Sequence, residues 1–132
     1  MILNNFDQTE LEDAVSELLR AASIAKKVYN NRPASATTDL SDFIVCKVSG
    51  SIRDRYAIGQ CTLAVHLFAK DNANFKNGKK LSVMQQKTIA AVPRSLDRFI
   101  IDGTPNILGD TDDGNGYHVR IINYKVTIKV AE

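Results

Sequence analysis

The sequence predicts an α+β fold: a mainly antiparallel sheet of about four to five strands with two helices packed on one face. Three observations predict it. Apolar residues recur at helical spacing from Leu11 onward. The C-terminal stretch instead alternates apolar and polar residues, the two-residue period of a half-buried strand. Between them the order reads helix, strand, strand, helix, short apolar runs, long strand, with no internal repeat. A length of 132 residues suits one domain, residues 1–132. Hydrophobic residues at 44% and charged residues at 24% are near the globular average, so a core can form without staples.

Leu11, Ala14, Val15, Leu18, Leu19, Ala22, Ala25 and Val28 form one stripe of the first helix. Asp7 with Glu10 reads as a capping box, and Phe6 with Leu11 as a hydrophobic staple. Thr9 with Glu12 is a competing cap. Acids crowd the first turns, and Lys26 and Lys27 lie near the expected end, which suits the helix dipole. Pro33 limits the helix to about Asn30. A polar connection over 34–41 leads to a strand at 42–49. A charged loop, Gly50 to Ala57, precedes a second strand from Ile58 to Ala69. Folding the two strands about the centre of that loop sets Cys46 opposite Cys61 as reduced neighbours.

A second amphipathic helix begins near Lys80, with Leu81, Met84, Thr88, Ile89 and Val92 on one face, and Pro93 ends or kinks it. Phe99, Ile100 and Ile101 are a short apolar run. Residues 109–116 read as a turn by composition. The last strand runs from Tyr117 to Val130. Its inward phase changes near Ile121 and Ile122, which predicts a bulge or bend there.

The chemistry-bearing residues are sparse. His66 and His118 stand apart, outside any metal-ligand spacing. Cys46 and Cys61 have no local basic partner to activate a thiol. Asp110, Asp112 and Asp113 begin like a calcium loop. Gly114 then occupies the third ligand slot and Ile121 the closing one, so the pattern fails. No phosphate-cradling glycine loop and no G-x-S-x-G elbow occurs. The expectation is therefore no catalytic residues, no cofactor and no metal. With 17 basic and 15 acidic residues the net charge is +2, which provides no global attraction to nucleic acid or membranes. No apolar stretch approaches the ~18 residues of a membrane span, and no secretory leader is read at Met1. The expected setting is the reducing cytoplasm.

The distribution of charge says more than its sum. Through Arg20 the chain carries five acids against one base, and 110–113 adds three more acids. Arg53 and Arg55 sit in one loop, with Lys70, Lys76, Lys79 and Lys80 in the next. Acidic and basic patches on different faces let copies join head to tail.

This layout resembles the tail terminator, or tail completion, and head–tail joining proteins of long-tailed bacteriophages and phage-derived elements. The matching features are the acidic first helix and Tyr29-Asn-Asn-Arg-Pro33, leading to the strand Phe43-Ile-Val-Cys-Lys-Val-Ser49. After a charged loop come the strand Cys61 to Lys70 and the helix holding Leu81 to Val92. Last are the acidic turn Asp110 to Tyr117 and the strand His118 to Lys129. The resemblance implies a non-enzymatic subunit that closes into a ring, commonly of six copies, on the last layer of a tail tube. Its partners would be itself, tail tube and head-connector proteins, and DNA passing through a lumen without sequence readout. It would move from cytoplasm to virion on assembly. Arg53, Arg55, Lys79 and Lys80 would serve one contact surface, and Asp110, Asp112 and Asp113 the other. The competing reading is a small ligand-binding protein or enzyme that uses His66 or His118.

Overall fold

In the computed structural model the described residues are 8–30, 41–49, 58–73, 75–96 and 99–129. They form α1 (Gln8–Ala21), β1 (Val28–Tyr29), β2 (Asp42–Ser49), β3 (Ile58–Lys70), α2 (Gly78–Ala91), β4 (Ser95–Leu96), β5 (Phe99–Ile101), β6 (Asn106–Asp112) and β7 (Tyr117–Lys129). The α+β class holds, but among the described residues the sheet has seven strands rather than four or five. Two of the extra strands are two residues long, below what periodicity can detect. The third, β6, has the composition of a turn.

The sheet order is β1-β2-β3-β7-β5-β4, with β6 also on β7. Every pairing is antiparallel except β1 with β2. β3 takes one edge of β7 along its whole length. β5 and β6 share the other edge in tandem: β6 pairs with 118–123, and β5 with 126–128.

The first helix is shorter than its stripe. Leu11, Val15 and Leu19 are fully buried as expected, but the helix stops at Ala21. Ala22 N–H still donates to Leu18 O (3.0 Å), then Ser23 turns left-handed (φ 54°) and donates to Arg20 O. The backbone of 26–28 is committed elsewhere. Lys26 N–H donates to Asp42 (2.6 Å), Lys27 O accepts from Ile44 N–H (2.9 Å), and Val28 O accepts from the Arg20 guanidinium (2.8 Å). β-branched Val28 is thus a strand residue that happened to fall on the helical stripe. The expected capping residues Phe6 and Asp7 lie outside the described residues. Glu12, the rival cap partner, is buried and accepts Val48 N–H at 2.8 Å.

α2 starts two residues before Lys80. Asn77 caps it, its Oδ1 accepting from Lys80 N–H, and Val92 closes it ahead of Pro93. Leu81, Met84 and Thr88 are buried, whereas Ile89 is exposed. Among the described residues the enclosed Thr88 hydroxyl has no hydrogen-bond partner. Thr88→Val should therefore raise stability by about 1 kcal/mol, since it removes a desolvated hydroxyl at nearly constant volume. A urea denaturation midpoint below wild type would count against this.

The two cysteines do not face each other. Cys46 pairs with Val65 across β2–β3, and Cys61 with Val126 across β3–β7. Both are reduced and lie in one core. The β2–β3 ladder is last registered at Ser49 with Thr62, while β3 continues back to Ile58 along β7. That offset moves the pairing by four residues from a symmetric hairpin.

Two apolar layers result. On the helix side, Leu11, Val15, Leu19, Leu81 and Met84 pack on Ile44, Leu63, Val65, Leu67, Ile122, Tyr124 and Val126. On the other side, Phe43, Val45, Phe68, Tyr117 and Val119 form a smaller cluster, with Tyr29 and Ile121 against it. This explains the phase change in β7 without a bulge. The β3–β7 ladder runs unbroken from Lys70–Tyr117 to Ile58–Lys129. Tyr117 and Val119 are buried on one face, and Ile122 through Ile128 on the other. The irregularity lies in β6, between Leu108 and Thr111.

Candidate functional site

Half of the segment that reads as a turn is strand. Residues 109–112 belong to β6, and the reversal is confined to 113–116. Gly114 (φ 81°) and Gly116 (φ 88°) supply its left-handed positions. Asp113 Oδ1 accepts from Asn115 and Tyr117 N–H, and Asp112 Oδ1 accepts from Gly114 N–H.

Within β6, Asp110 is drawn inward. Its side chain is 7% exposed. Arg120 of β7 donates to both carboxylate oxygens, from Nε at 2.7 Å and Nη2 at 2.9 Å. Lys76 adds a bond of 3.0 Å. Hydrogen bonding from Arg120 leads in holding the Asp110 carboxyl down to about 2, with Lys76 assisting and partial burial opposing. Arg120 Nη1 also donates to Ser82 Oγ and Gln85 Oε1 of α2. One guanidinium therefore ties β6, β7 and α2 together. The sequence reading does not single out Arg120, and it places Lys76 only in a basic loop. The available signal was Arg120 itself, a cation at the position in phase with apolar Ile122, Tyr124, Val126 and Ile128.

The other anticipated contact residues separate by environment. Arg53 and Arg55 lie outside the described residues. Lys80 is committed to Asp42 at 2.8 Å. Lys79 is exposed on α2, Asp112 is exposed at the end of β6, and Asp113 is half-buried in the reversal. Lys79 lines a groove of ≈ 380 Å³ with Ile24, Val83, Met84 and Lys87.

The histidines lie on opposite sheet faces. His66 pairs with Ile121 in the ladder, on the face of the smaller cluster, while His118 has the parity of Arg120. They cannot converge on one substrate. His66 opens on a shallow cleft of ≈ 280 Å³ with Lys47, Phe68, Asp112 and Val119. Burial, and then Lys47, lower its pKa. His118 Nδ1 meets Asp71 Oδ1 at 2.6 Å. Asp71, Asp112 and His118 bring ligand atoms within 4.8 Å of one another, though His118 and Asp71 already spend atoms on each other. The thiols of Cys46 and Cys61 are pushed up to about 11, chiefly by burial, so neither provides a thiolate at neutral pH. Among the described residues, no helix is long and apolar enough to cross a membrane.

The chain matches no protein family model and no curated protein. Solved structures do match. A chain from the virion of the native gene transfer agent (GTA) particle superposes with a TM-score of 0.61 over 94% of this chain and 98% of that one, at 15% identity. This protein shares the fold of that virion chain. A second solved structure superposes with a TM-score of 0.59 over 94% of each chain, at 11% identity. Coverage near the full length of both partners means that the elements correspond as a set.

Proposed function

We propose that this protein is a structural subunit of a phage-type particle, a tail terminator or head–tail joining protein that closes into a ring on the end of a tail tube. One observation carries the reading: near-complete superposition on a virion chain. The distribution of side chains supports it. Reactive groups are buried or on opposite faces, whereas the exposed aliphatic side chains Val83, Ile89, Ile107 and Leu108 lie on α2 and β6. The mechanism is complementarity without covalent chemistry. A closed ring leaves no open tube edge and presents one face to the head. The partners are further copies of this chain, tail tube and head-connector proteins, and DNA passing through the lumen. The destination is the virion.

The second reading, a small ligand-binding protein or enzyme, has the His66 cleft behind it. Light scattering of the purified chain from dilute to near-saturating concentration separates the two. The ring reading expects a multi-copy species, visible as rings by electron microscopy. A monomer at every concentration would overturn it and direct attention to His66.

A further inference from the structure

Helix α2 carries different surfaces on its two flanks. Ser82 and Gln85 are bound by Arg120, which grips Asp110, so β6 lies on that flank. Lys79, Val83 and Lys87, at helical spacing, lie on the other flank and border the groove toward Ile24.

The β6 flank is acidic and aliphatic. Among the described residues β6 pairs with β7 alone, and its second edge has no strand partner there. It is seven residues long, whereas β1 and β4 end the sheet with two each. Exposed edges are usually defended by lysine, proline or a bulge. Here the irregularity begins only after Leu108. Asn106–Leu108 carries no charge, with Ile107 36% and Leu108 40% exposed. Asp112 is exposed beyond them, and no basic residue occurs in Asn106–Asp112. The anchored Asp110 holds this edge in place.

The opposite flank is basic and aliphatic. Lys79 and Lys87 border the groove, Ile24 and Met84 are buried along it, and Val83 is 45% exposed. Its one acid, Asp42, is already occupied by Lys80 and by Lys26 N–H. The two surfaces are opposite in charge sign and alike in aliphatic content. Lying on opposite flanks of one helix, they cannot meet within a chain, but they can meet between successive copies.

We propose that copies of this chain join head to tail, with Ile107, Leu108 and Asp112 of one copy seated in the groove between Lys79, Val83 and Lys87 of the next. Such a heterologous contact closes into a ring when its rotation closes. The proposal rests on the ring reading and names the surfaces that make the ring.

The test uses the full chain and two charge-reversed variants: Leu108→Lys with Asp112→Lys, and Lys79→Glu with Lys87→Glu. All four positions are exposed, but Asp112→Lys also removes the acceptor of Gly114 N–H, so assembly is compared at temperatures where thermal melts show each variant folded. By light scattering, each variant alone should assemble roughly tenfold or more weakly than wild type. An equimolar mixture should assemble again, because each reversed surface then finds its complement. If either variant alone assembles like wild type, or the mixture does not recover, these surfaces are wrong while the ring reading stands. If wild type itself stays monomeric, the ring reading fails and this proposal falls with it.

Discussion

Arg120→Ala is expected to cost about 2–3 kcal/mol and to loosen β6. The change removes two charge-assisted bonds to Asp110 and leaves a largely enclosed carboxylate with only Lys76. It also removes the tie to Ser82 and Gln85. The loss should depend on pH in a defined direction. In the folded chain the Asp110 carboxyl is held near 2, against an ordinary value of 3.8. A lowered folded pKa contributes stability that is complete above 3.8 and is lost as pH falls through about 2. The difference in melting temperature between wild type and Arg120→Ala should therefore be widest at neutral pH and close toward pH 2. A difference that stays constant across that window would show that Arg120 acts by packing alone. Because β6 carries the proposed contact, the variant should also assemble less readily at temperatures where it remains folded.

Phe43→Ala is expected to cost about 3–5 kcal/mol, measured by urea denaturation. Phe43 is fully buried. It stacks on Phe68 directly across the β2–β3 ladder at 4.3 Å and 11°. Tyr117 and Tyr29 meet it edge-on at 5.3 and 6.1 Å. Aromatic pairs in these geometries contribute beyond the area they bury. The magnitude discriminates because Phe43 lies on the sheet face away from the helices. Were that face an ordinary exposed one, the cost would be under about 1 kcal/mol. A large loss would show that the sheet is buried on both sides at this end, as the burial of Tyr117 and Val119 requires.

Much of the architecture was legible because it rests on local period. The stripe of Leu11, Val15 and Leu19, the limits of β2, and the alternation from Ile122 to Ile128 each arise from burying one side of a regular element. Local period fails where two structures share a pattern. Ala22, Ala25 and Val28 continue the helical spacing, yet hydrogen bonds donated by Arg20 and Ile44, and one accepted by Asp42 from Lys26 N–H, draw 26–28 into the sheet region. β6 escapes a reading by period for the complementary reason. Gly109 through Asp112 is turn-like in composition, and pairing of Thr111 with Val119 and of Asp112 with His118 makes it a strand.

The candidate contact surfaces divide the same way. That acids cluster at 110–113 and bases at 76–80 is written in the chain. Which of them face outward is not. Asp110 and Lys80 are consumed by Arg120 and Asp42, which are 10 and 38 positions away, while Asp112 and Lys79 remain exposed. The sequence by itself determined the α+β class, the main helices and long strands, and the separation of charge, because backbone period and composition act over a few residues. Only the tertiary structure decided where α1 stops, how β2 and β3 register, that β6 is a strand, and which charges are spent. Each of those depends on a partner distant in sequence, and hydrogen bonds and desolvation act on groups that are close in space.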